Sequence, residues 1–207
     1  GQPGYNILVT PEKSLNARFT EAYDALGLEH SKADKAEKKD DILKARDYMC
    51  QNYFDVRAFG AVMSTGDDPC GVVRGPVQIN FARSLSPVNV QDVTITRQAR
   101  TNEDRKKTGD TEMGRKSIIP YALYRAEGYV SAALANKVTG LSEEDLEVLW
   151  NAVINMFEHD HSAARGKMCM RKLFVFQHDS ILGNCPSHLL FDKITVKPKK
   201  EDEPPKC

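Results

Sequence analysis

QARTNEDRKKTGDTEMGRKS, residues 98–117, has almost nothing to bury, yet it stands between two segments of strand character. Upstream, Val77, Ile79 and Phe81 alternate with Gln78 and Asn80, the period of a strand with one buried face. Val88–Ile95 continues in the same style, and residues 118–132 return to apolar, aromatic-rich strand character. The polar stretch therefore reads as a long insertion within a sheet.

Outward from the insertion, the helices are marked by their ends. Ser14 to Leu26 predicts a helix with Leu15, Phe19, Ala22 and Leu26 near one face and Gly27 as its stop. Ser31 to Tyr53 predicts a second, highly charged helix. Ser142 is a natural N-cap with Asp145 three residues on, and Leu141 and Leu146 occupy the staple positions around it. Leu146, Leu149, Trp150, Val153 and Phe157 then line one helix face. VRAFGAVM (56–63) is strand-like, TGDDPCG (65–71) is a turn cluster, and Lys172–Phe176 and Ile194–Val196 look like the last two strands.

The order approximates the β-α-β-β-α-β split unit of ferredoxin-like and RRM-like domains. The expected fold is α+β: one palm domain over residues 1–197, a thumb inserted at about 88–118, and a disordered tail at 198–207. YNILVT (5–10) is a weak candidate for the leading strand, so the expectation is that this strand is missing.

Net charge is zero, but charge is segregated. Residues 127–160 carry seven acids against Lys137 alone, residues 162–178 carry four bases and no acid, and residues 97–116 carry seven bases against four acids. Such a chain can hold a polyanion on one face and its own copy with another. The five scattered cysteines, with no C-x-x-C pair, fit a reducing cytoplasm, and no apolar run is long enough to span a bilayer.

Three segments are suited to anions. Arg97, Arg115 and Lys116 belong to the polar insertion. Arg74 and Gln78 flank a Gly-Pro turn at the mouth of a strand, and Arg165 and Lys167 bracket Gly166 after a helix end. His159, Asp160 and His161 are the only obvious chemistry, but i and i+2 histidines do not share a helix face and zinc spacings are absent. Cys169, His178, Cys185 and His188 are looser still. No catalytic constellation, metal set or cofactor loop is expected.

DVRAFGAVMS (55–64), RGPVQINFARSLSPV (74–88), MGRKSIIPYALY (113–124) and MFEHDHSAARG (156–166) resemble, in order, the CRISPR-associated RAMP backbone protein of type I-C Cascade. The resemblance covers about residues 5–197 and implies a non-catalytic subunit that binds CRISPR guide RNA. It further implies contacts with neighbouring copies of itself, stacked head to tail, and with other Cascade subunits, and target DNA met through the guide. It adds Arg57 to the candidate RNA-binding set of Arg74, Gln78, Arg97, Arg115, Lys116, Arg165 and Lys167. The competing reading is a RAMP-type endoribonuclease using the His159–His161 segment.

Overall fold

The computed structural model describes residues 2–30, 39–97 and 112–197. The expected tail, most of the polar insertion and the lysine-rich start of the second helix lie outside the described residues.

Helix α1 (Leu15–Leu26) begins where the Ser14 hydroxyl accepts the Ala17 N–H, and ends where Gly27 turns left-handed. It packs on α2 (Lys39–Asn52), and Phe19, Ala22, Tyr23, Ala45 and Met49 form the centre of one core. Residues 56–59, expected as strand, are helical: α3 (Phe54–Phe59) opens a short turn before β1 (Gly60–Met63). The reason is tertiary. Val56 faces the first core, while Phe54 and Ala58, one turn apart, face a second core with Val77, Ala135, Leu141 and Leu149. Only a helix presents those positions to opposite sides.

β1 pairs antiparallel with β2 (Gly71–Arg74), across the turn cluster. At the foot of this hairpin Gly60 (φ 80, ψ 170) crosses Gly75 so closely that a β-carbon on Gly75 would lie 2.1 Å from the Phe59 carbonyl carbon. Neither position can hold a side chain without moving backbone.

The chain then runs out along one strand line and returns along another. β3 (Val77–Ile79) pairs with β8 (Gly128–Val130), β4 (Arg83–Ser84) with β7 (Tyr124–Arg125), and β5 (Gln91–Arg97) with β6 (Glu112–Ile118), all antiparallel. Residues 80–82 stand opposite 126–127, and 85–90 opposite 119–123, so the outgoing line carries one extra residue at each break. Such bulges bend and twist a ribbon. Together the three paired segments form one bent arm, with the polar stretch between β5 and β6.

The exposures correct the expected strand pattern. Val77 is buried, but Ile79 is exposed and Phe81 is 96% exposed. The alternation ends at Val77, before the register shifts: beyond it the strand line leaves the core and both faces are open.

After β8, α4 (Ala132–Leu134) runs into a π-turn over Ala135–Thr139 and leads to α5 (Glu143–Asn155). The expected capping box is present: the Ser142 hydroxyl accepts the Asp145 N–H at 3.2 Å, and Asp145 accepts the Ser142 N–H at 3.1 Å. α5 docks Leu149 on the second core, with Leu146, Trp150 and Val153 around it. Among the described residues the last strands expected from the sequence do not form: Lys172–Phe176 belongs to no strand, and residues 194–197 follow the short helix α6 (Ser187–Phe191) as irregular chain. YNILVT supplies only an isolated bridge from Asn6 to Tyr53. The observed class is α+β, with four two-stranded antiparallel sheets among the described residues.

Candidate nucleic-acid interface

The eight polar residues singled out from the sequence separate into four environments. Arg57 is turned inward and is 7% exposed. Its Nε and Nη2 each donate to a carboxylate oxygen of Asp145 at 2.8 Å, and Nη1 donates to the carbonyls of Gly4, Cys50 and Gln51. The stacked Tyr5 and Phe54 rings lie against the same guanidinium, with centroids 5.4 and 5.6 Å from Cζ. Arg57 is thus a structural tie between α3 and α5, which withdraws it from the surface set.

Asp145 is held by the same network. Burial works to raise its carboxyl, but Arg57, the Ser142 N–H and the Tyr5 hydroxyl outweigh that and keep it below the ordinary carboxylate range.

Arg74 and Gln78 sit at the root of the arm, both exposed. Gln78 turns back to donate to the Gly75 carbonyl at 3.2 Å, while Arg74 reaches solvent.

Arg115 and Lys116 are exposed on β6, opposite Thr94 and Val93. Successive strand residues point to opposite faces, so these two cations straddle the arm. Arg97 ends β5, opposite Glu112.

Arg165 and Lys167 lie in the loop after α5. Arg165 is committed to Asp160 by Nη1 and closes a tight turn with Ser162, whereas Lys167 is exposed. In the same loop His161 Nδ1 contacts the Gly166 carbonyl at 3.1 Å. Of the three residues of the nuclease reading, Asp160 is paired with Arg165 and His161 faces the Gly166 carbonyl. Among the described residues no group of three or more His, Cys, Asp or Glu is placed to hold a metal. Burial pushes the Cys50 thiol up to about 11 and the Cys70 thiol up to about 12, so neither is a nucleophile at neutral pH.

Two arm residues went unassigned in the sequence. Arg83 on β4 stands directly opposite Arg125 on β7. Like charges so placed repel. Arg125 resolves the conflict by turning to the Phe191 and Ile194 carbonyls at 2.8 and 3.1 Å and to Glu127 at 2.9 Å. Arg83 stays exposed. Two residues before it, Phe81 offers a bare aromatic face, and Tyr124 is half exposed across the strand from Ser84. The signal was present in FARS (81–84), an aromatic two residues from a cation, but the alternating pattern assigned Phe81 to a core.

Exposed cations spaced along a strand ribbon, with exposed rings at Phe81 and Tyr124, can follow phosphates while bases stack. No helix among the described residues is long and apolar enough to cross a membrane. No curated protein matches the chain. The model of the family described as CRISPR-associated protein Cas7 matches residues 1–207, so the chain belongs to that family of RNA-binding subunits of CRISPR effector complexes.

Proposed function

We propose that this chain is a non-catalytic backbone subunit of a type I-C Cascade, holding CRISPR guide RNA in the cytoplasm while copies stack head to tail. In this reading the two cores and the β1–β2 hairpin are an RRM-like palm, and the bent arm is its thumb, close to the 88–118 span expected from the sequence. Other Cascade subunits bind the assembled filament, and target DNA is met through the guide.

The observation that carries the proposal is the arm itself. A lone two-stranded ribbon is marginal in water. This one leaves Val93, Ile95, Met113 and Phe81 exposed and carries exposed cations on both faces. A surface that is apolar, cationic and aromatic is completed by a strand of RNA running along it. Arg74, Gln78, Arg83, Arg97, Arg115 and Lys116 are the proposed contacts on the palm root and arm, with Lys167, and Arg165 once released from Asp160, as a separate anchor.

Fluorescence anisotropy with labelled single-stranded RNA across a KCl series tests this. Each phosphate contact on a single strand contributes about 0.7 to the slope of log affinity against log salt. The combined variant Arg83→Ala, Arg115→Ala, Lys116→Ala is expected to flatten that slope by about 2. An unchanged slope would remove the arm from the interface.

A further inference from the structure

We infer that the loop joining β1 to β2 and the adjoining face of α1 form a binding site for a single hard divalent cation, of the Mg2+ or Ca2+ class. A recess of about 220 Å³ opens there, lined by Asn16, Phe19 and Thr20 from α1 and by residues 65–68 of the loop. Asn16 and Thr20 are one helical turn apart, so both face the loop.

Asp68 is the buried carboxylate among the residues that line this recess. It is 6% exposed, and its Oδ1 is buried without any hydrogen-bond partner. Its Oδ2, by contrast, receives the Thr20 hydroxyl at 2.7 Å and lies 3.1 Å from His30 Nδ1. A carboxylate oxygen buried with no donor is expensive unless a cation or ordered water meets it. Apart from the Phe19 ring, the other lining side chains are oxygen-bearing: the exposed Asp67 carboxylate, the Thr65 hydroxyl, and the Asn16 carboxamide that Thr65 contacts at 3.2 Å. Two carboxylates with neutral oxygens, and no sulfur, select a hard ion.

The loop geometry holds these groups close. The Asn16 carboxamide packs over Gly66, where a β-carbon would come within 3.1 Å of it and where φ is +80. A recess of this volume holds an ion together with several of its own waters, the manner in which Mg2+ prefers to bind. The site lies against α1, away from the arm, so its ion would pin the β1–β2 turn to α1 and leave RNA contacts unchanged.

Mn2+ is the probe, read by the loss of its free-ion EPR signal on titration into the full chain, with Mg2+ and Ca2+ as competitors. The expected result is one saturable ion per chain, with a dissociation constant below about 1 mM, displaced by either competitor. Asp68→Asn is expected to weaken it at least tenfold. Asp67→Asn, at an exposed position that does not threaten folding, is expected to weaken it several-fold. No saturable Mn2+ binding by the wild-type chain, or unchanged affinity in Asp67→Asn, would overturn the assignment.

Discussion

Asp145→Ala is expected to lower the unfolding free energy by about 3–5 kcal/mol, the cost of leaving a buried guanidinium without its partner. Arg57 would retain three backbone carbonyls but lose both 2.8 Å bonds to carboxylate, and α5 would lose half of its capping box. The effect should fade in acid. The Asp145 carboxyl is held below its ordinary range in the folded chain. Its stabilisation is therefore complete above the unfolded carboxylate pKa of about 4 and is lost as pH falls through the lower native value. Urea denaturation at pH 7 and near pH 3 checks both halves: a wide gap between wild type and variant at neutral pH, narrowing in acid. An equal gap at both values would mean that the charge pair is not what the substitution removes.

Gly60→Ala is expected to be as damaging. Gly60 has φ +80 with an extended ψ of 170, a region open in practice only to glycine. An added β-carbon would lie 2.4 Å from both the Gly75 nitrogen and the Val73 carbonyl oxygen, and these are backbone atoms with no rotamer to change. Strain and overlap together should cost more than about 3 kcal/mol, enough to leave a domain of ordinary stability largely unfolded or insoluble. Gly114→Ala is the matched control. Nothing lies within 4 Å of a β-carbon there, and its thermal midpoint should stay at the wild-type value. If Gly60→Ala melted with Gly114→Ala, the hairpin would not be set by the glycine crossing.

Local signals were legible in the sequence. Ser14, Gly27 and the Ser142–Asp145 box each act within a few residues, and the helices they bound are where the sequence places them. Pairing between distant segments was not. Val56 to Phe59 has strand-like side chains, but its state is decided by two cores and by an ion pair reaching 88 residues along the chain. Lys172–Phe176 has the composition of a strand and no partner among the described residues. The same limit applies to the site. A sequence shows that Arg57 and Arg83 are cations, but not that one is spent on Asp145 while the other is left bare by Arg125 turning away. Phe81 has the apolar alternation of a half-buried strand, but the strand leaves the core after Val77, and whether anything covers a strand face is a long-range property.

The central claim is that RNA runs along the bent arm. Photocrosslinking of the full chain to single-stranded RNA bearing 4-thiouridine, with the adducts mapped by mass spectrometry, tests it most directly. The account predicts adducts on peptides spanning β3 to β4 and β6 to β7, with Phe81 and Tyr124 among the modified residues. Adducts confined to the α1–α2 face, or none on the arm at saturating RNA, would contradict it.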